Sequence, residues 1–280
     1  MIKMAGYLDI GRHYDSITDG WRYILGDNFH FGYFKTPEDD LNQATDNLID
    51  EMISLCPMEF GPETKILDAG CGIGAPALYL HSKFGSDVTG ISTSKKGIDL
   101  ANSRMKDYKN QEKIRFMVAD MTATGFPADS FDIIWIMESS HLIRNKRLLF
   151  EECFRLLKPS GKILLADVLA GDKYKFYIKL KNFFPLINLM KTFGRGKTET
   201  PEFYKGLLRK AGFKNTFARN VSREVAGTLP CWRDNIIQNG SGLAGVFGKK
   251  EIDRFQKSIT ALNCFFREGF NCYYLFRAEK

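Results

Sequence analysis

Residues 65 to 80 read KILDAGCGIGAPALYL, and this stretch constrains the fold more than any other in the chain. A short apolar run meets Asp68 and then passes through Gly70, Gly72 and Gly74, three glycines in five positions. Removing Cβ at alternate residues permits positive φ and lets another group lie against the main chain. Lys65 to Leu67 reads as the end of a buried strand, and Pro76 to Lys83 as a helix with its proline in the first turn, where a missing N–H costs least. Strand, glycine turn and helix make a ligand-binding turn of an α/β sheet.

A dinucleotide-binding turn is the first candidate, but its spacing fits poorly. Here the glycines run G-x-G-x-G-A, and the acid, Asp68, precedes the first of them instead of lying about twenty residues downstream. A carboxylate at a strand end beside a helix N-terminus suits a cation such as an ammonium. The turn asks for a nucleoside carrying positive charge rather than a pyrophosphate, and this disfavours a nicotinamide-dependent dehydrogenase.

Downstream, strands and helices alternate. SDVTGIS (86–92), KIRFMVAD (113–120), FDIIWIME (131–138) and GKILLADV (161–168) read as strands. SKKGIDLANSRMKDY (94–108) and NKRLLFEECFRLL (145–157) read as helices between them, and KPSGK (158–162) as a turn. Such alternation predicts a parallel sheet covered on both faces. Residues 1–60 read as a helical cap interrupted by the aromatic NFHFGYF (28–34), 61–170 as an α/β core, and 171–200 as a lid inserted after the fifth strand. The remainder, 201–280, returns to the core through a strand at 214–222, two further helical stretches and a final strand at 271–280.

The net charge of +7 is local: residues 172–214 hold eleven basic and three acidic side chains, and the rest of the chain is close to neutral. That distribution argues against a nucleic-acid footprint and gives the lid a basic face, with Lys173, Lys175, Lys179 and Lys181 among Tyr174, Phe176, Tyr177, Phe183 and Phe184. A peripheral contact with an anionic acceptor or membrane surface is one reading of it, and a solvated helix face the other. Six scattered cysteines without a C-x-x-C pair, and no H-E-x-x-H among four histidines, point to no metal site and to free thiols in a cytoplasmic setting. No apolar run is long enough to span a bilayer, and no export signal is evident. Nothing in the composition fixes the oligomeric state.

Taken together, ILDAGCGIG (66–74), VAD (118–120), FPADSFDIIWIMES (126–139) and LLKPSGKILLADV (156–168) resemble, in order and spacing, the motifs of class I S-adenosylmethionine-dependent methyltransferases. Any one alone is weak; four in sequence are specific. YDSITDGW (14–21), HFGYF (30–34), ESSHLI (138–143) and LAD (165–167) further resemble natural-product sugar O-methyltransferases, tocopherol methyltransferases and sterol C-methyltransferases. The resemblance implies a doubly wound, mostly parallel, seven-stranded sheet, S-adenosylmethionine as cofactor and a small-molecule methyl acceptor. It implies that Asp68, Gly70, Gly72 and Gly74 surround the methionine moiety, that Asp120 and Met121 flank the adenine, and that Glu138 lies near the methionine end. Ser92 stands where most of the family has an acid for the ribose hydroxyls, a departure. Tyr14 and Tyr33 are expected to close over the cofactor, whereas His13, His30 and His81 are read as structural.

Methyl transfer is an in-line displacement, helped chiefly by holding the nucleophile aligned in a dry site. A hydroxyl nucleophile also needs a base. His141, three residues beyond Glu138, is the candidate, and Asp167, ending the next strand, is expected to orient its imidazole or touch the hydroxyl. Relatives often carry histidine where this chain has Leu142. O-methylation of a partly apolar metabolite is therefore the leading expectation; C-methylation of an isoprenoid, N-methylation, and a regulator that binds cofactor without turnover are the alternatives.

Overall fold

The computed structural model describes residues 2–173 and 183–280. Among them a seven-stranded sheet runs β3-β2-β1-β4-β5-β7-β6, with β1 Lys65–Ala69, β2 Asp87–Ser92, β3 Ile114–Val118, β4 Phe131–Met137, β5 Leu157–Ala170, β6 Lys214–Asn220 and β7 Asn271–Glu279. β1 to β5 pair in parallel, while β7 is antiparallel to both β5 and β6. The central strands are buried on both faces, which is why ILDA and IIWIM read as apolar runs rather than alternating ones. The alternation predicted a parallel sheet covered on both faces, and the seven-stranded, mostly parallel, doubly wound sheet is the one the motif resemblance implied.

Helices α1 Ile2–Leu25 and α2 Leu41–Ser54 precede the sheet; α3 Ala75–Phe84, α4 Lys95–Met105 and α5 Lys146–Leu156 make the crossovers. α6 Phe183–Phe193 and α7 Pro201–Ala211 follow β5, and α8 Thr228–Gln238, α9 Gly240–Val246 and α10 Lys249–Arg267 lie between β6 and β7. Three helices thus occupy the region where the sequence suggested two stretches, since Asn239 separates α8 from α9. Side chains do much of the capping: Asp40 accepts from the Gln43 N–H, Ser94 from Gly97 and Thr200 from Phe203.

The expected turn at 158–162 is instead an excursion within β5. Leu157 pairs with Phe131 and Lys162 with Ile133, so four residues of β5 are spanned by one of β4, with Ser160 at φ +65°. α1, α6, α8 and α10 pack together over the C-terminal edge of the sheet, around Trp21, Phe193, Trp232 and Phe255. Asp15 fixes α1 there, accepting from Ser94 Oγ at 2.7 Å and from the Lys96 N–H at 3.0 Å at the start of α4. Of the basic lid, Lys173 is exposed; Lys175, Lys179 and Lys181, with Tyr174, Phe176 and Tyr177, lie outside the described residues. No helix among the described residues is long and apolar enough to cross a membrane.

Candidate active site

A cavity of about 470 Å³ opens at the C-terminal ends of β1, β2, β4 and β5, where an open α/β sheet binds its ligands. One end is formed by the glycine turn and the residues after β2 and β3: Gly70, Gly72, Ser92, Asp120 and Met121. The other end is aromatic and aliphatic, with Tyr14, Trp21, Phe31, Phe193 and Trp232 on its walls. His141 and Glu138 line the same space. No lysine or arginine occurs among its described lining residues.

The three glycines divide their work. Gly72, at φ +54°, faces open space: a Cβ built there meets nothing within 4 Å. It is a cradle that a side chain would fill. Gly74 does not line the cavity; at φ +83° it caps α3, and a Cβ there would press 2.8 Å from Phe116 and 2.9 Å from Ala101. Its need is helix-to-sheet packing. Gly70 lies between, since its Cβ would collide with Ser139 at 2.3 Å.

Asp68 is buried beneath this turn and outside the cavity lining. The Ala77 N–H in the first turn of α3 hydrogen-bonds to it, so the carboxylate supplies the cap that Gly74 lacks. Its Oδ2 has no partner, and burial pushes the carboxyl up to about 7. An unpartnered carboxylate oxygen under an open glycine cradle fits a ligand with a positively charged amino group. Ser92 Oγ accepts from the Ser94 N–H at 3.2 Å, and Asp120 Oδ1 accepts from Thr122 N–H and Oγ1, both at 2.8 Å, so each residue also orders its own loop.

Glu138 sits just past β4 in the left-handed region, φ +49°. Its Oε1 accepts from Tyr273 Oη at 2.6 Å and from the Phe31 N–H at 2.7 Å, joining β4, β7 and the segment after α1. Burial pushes it up to about 8, against the pull of these hydrogen bonds. Tyr14 lines the cavity and donates to the Phe193 carbonyl at 3.3 Å, holding α1 to the end of α6; burial and the nearby Glu138 raise its pKa. Tyr33 is not among the lining residues. It lies half-buried near Glu51, Glu224 and Arg219, its carbonyl accepting from Asn47, because the backbone after Phe31 is drawn toward α2 by the Tyr33 N–H to Ala44 bond.

His141 and Asp167 meet. Nδ1 lies 2.7 Å from Asp167 Oδ1, with the imidazole 17% exposed and the carboxylate fully buried. They meet because β4 and β5 are neighbours: β4 ends at Met137, paired to Ala166, whereas β5 runs on to Ala170, so Asp167 does not end its strand as expected but lies inside it, level with the loop that follows β4. Asp167 also accepts from the His141 N–H at 2.8 Å, the Val168 N–H at 2.8 Å and Ser140 Oγ. Burial alone would raise its pKa, but the His141 charge and these donors outweigh it and hold the carboxyl below its ordinary value. An ionised Asp167 only accepts, so Nδ1 donates to it, and in the neutral form of the ring the lone pair is the one on Nε2.

Several contributors were not legible as motifs. Lys146, buried, donates to the Ile143 carbonyl at 2.8 Å and the Lys197 carbonyl at 2.6 Å, clamping the segment after α6 onto the loop after β4; burial lowers its pKa to about 8. The Lys197 N–H also donates to the His141 carbonyl at 2.7 Å. His13, His30 and His81 bond to the carbonyls of Thr192, Phe31 and Ser86 respectively, and burial lowers His30 to about 4.

Residues 67–165 match the family described as Methyltransferase domain. The chain is 33% identical to 27-O-demethylrifamycin SV methyltransferase of Amycolatopsis mediterranei over 232 residues, 80% of this chain and 79% of that one. It is 29% identical to a phosphoethanolamine N-methyltransferase of Plasmodium falciparum over 206 residues, 71% of each chain. Its fold superposes on the cyclopropane synthase MmaA2 of Mycobacterium tuberculosis with a TM-score of 0.86 at 21% identity, covering 98% of both chains.

Proposed function

The chain belongs to the class I S-adenosylmethionine-dependent methyltransferases, and we propose that within this family it methylates a hydroxyl of a small, partly apolar metabolite. The observation that carries this reading is the 2.7 Å contact between His141 Nδ1 and Asp167 Oδ1 beside an apolar cavity. Bound S-adenosylmethionine supplies a methyl group on a positively charged sulfur. Gly72 and the free Asp68 oxygen would hold its amino-acid end, and Ser92, Asp120 and Met121 its nucleoside. His141 Nε2 takes the hydroxyl proton as the oxygen is methylated, and Asp167 stabilises the imidazolium from the opposite side of the ring. The aromatic wall excludes water and positions the acceptor.

The lining also bears on the alternatives. The aromatic walls alone favour a second reading, C-methylation of an isoprenoid through a cationic transition state. Six unpaired cysteines agree with action in a reducing cytoplasm. The test is incubation with S-adenosylmethionine and a metabolite extract of the host, followed by mass spectrometry. A product heavier by one methylene than a hydroxyl-bearing precursor supports the reading, and methylation solely of amines or carbons overturns it.

A further inference from the structure

Behind the His141–Asp167 pair lies a buried hydroxyl chain that nothing in the motif pattern indicates. Ser140 Oγ donates to Asp167 Oδ2, since an ionised carboxylate has no proton to give. The serine oxygen is then free to accept, and Tyr204 Oη lies 2.9 Å from it. Both side chains are fully buried. Tyr204 is fixed by a stacked contact with Phe276 and an edge contact with Phe150, at centroid distances of 5.7 Å in each case. Burial and the nearby Asp167 hold its phenol far above its ordinary pKa, so it remains a donor. The chain therefore has one direction: Tyr204 to Ser140 to Asp167, with His141 donating to the carboxylate from the cavity side.

We propose that Ser140 and Tyr204 are positioning residues that fix the tautomer and basicity of His141 by competing with it for the charge of Asp167. The inference rests on the reading of His141 as the base. A carboxylate that shares its charge among several donors polarises each of them less. Withdrawing the serine donor leaves more charge facing the imidazole, which then holds its proton more tightly. The other groups around the chain, Lys146 from α5, Glu199 from the segment before α7, Glu138 after β4, Tyr14 from α1 and Tyr273 from β7, are unchanged by either substitution and contribute a constant background.

The test is nitrogen-15 NMR of the imidazole nitrogens in the intact cofactor-free protein, with the His141 resonances assigned by their loss in His141→Ala. In the wild type, the neutral ring is expected to show the Nδ1-protonated signature. Ser140→Ala should move the His141 midpoint upward, because the carboxylate charge that the serine no longer draws on passes to the ring. Tyr204→Phe, which keeps the ring packing, should give a smaller shift of the same sign, and Ser140→Thr should restore the wild-type midpoint. If Ser140→Ala fails to fold, Tyr204→Phe decides alone. An unchanged midpoint in the folded variants, or a downward one, overturns the proposal and leaves the two hydroxyls as core packing. No methyl transfer enters this readout, so failure of His141 as the base would show separately in turnover.

Discussion

Gly196 lies against the ring of His141: a Cβ at position 196 would stand 2.9 Å from His141 Cδ2 and 3.2 Å from its carbonyl oxygen. The glycine belongs to the segment between α6 and α7 that Lys146 clamps through the Lys197 carbonyl, so the imidazole is held between Asp167 on one side and this main chain on another. Gly196→Ala should push the ring or the segment by several tenths of an ångström. Turnover should fall by roughly tenfold or more, since small misplacements of a reacting group are costly, with S-adenosylmethionine affinity unchanged. Calorimetry and single-turnover kinetics together check this; normal turnover would show that the segment yields without moving the base.

A contrast between two glycines tests the cofactor cradle. Gly72→Val places a branched side chain in the open space of the turn, and the variant should fold yet lose measurable S-adenosylmethionine binding. Gly74→Ala instead meets Phe116 and Ala101, and at φ +83° it should cost about 1–3 kcal/mol of stability. Thermal unfolding beside calorimetry separates the two effects. A folded Gly72→Val with undiminished affinity would remove this turn from the cofactor site.

The buried carboxyl of Asp68 predicts a pH dependence with a definite sign. Burial raises it from 3.8 to about 7, so between these values the cofactor-free folded protein keeps a proton that the unfolded chain has lost. Its contribution to stability is full below the lower value and is lost as pH rises toward the higher one. Glu138, raised from 4.5 to about 8, acts in the same direction over its own range. Pairing Asp68 with the cofactor's amino group requires the carboxylate, so binding at pH below 7 must expel a proton. Affinity should then fall by up to about tenfold per pH unit on the acid side, and Asp68→Asn should abolish that slope. Calorimetry in buffers of different ionisation enthalpy measures the released proton directly; its absence would mean the amino group is held elsewhere.

How much of this was readable in advance follows from sequence distance. The glycine turn is local, so β1, α3, Gly72 and the buried acid before it were all legible from sixteen consecutive residues. His141 and Asp167 were legible as a pair because consecutive strands of such a sheet are often adjacent, although β5 continues past Asp167 to Ala170 because β7 pairs with it there. Gly196, Lys146 and Tyr204 were not, since their roles depend on where the chain after β5 returns to the loop after β4. Tyr14 and Tyr33 looked alike as aromatics of the N-terminal segment, but only the register of α1 and the pull of α2 decide which of them lines the cavity. KPSG has the composition of a turn, and the sheet accommodates it as an excursion because β5 resumes its pairing at Lys162.

The position of a transferred label tests the central claim most directly. Wild-type protein and His141→Ala are each incubated with S-adenosylmethionine carrying a carbon-13 methyl group and a metabolite extract of the host, and the labelled product is read by NMR. The account predicts a methoxy signal with the wild type, and its reduction by roughly a hundredfold or more in a variant that binds S-adenosylmethionine normally. A label on carbon or nitrogen, or a methoxy product formed equally fast without the imidazole, would contradict it.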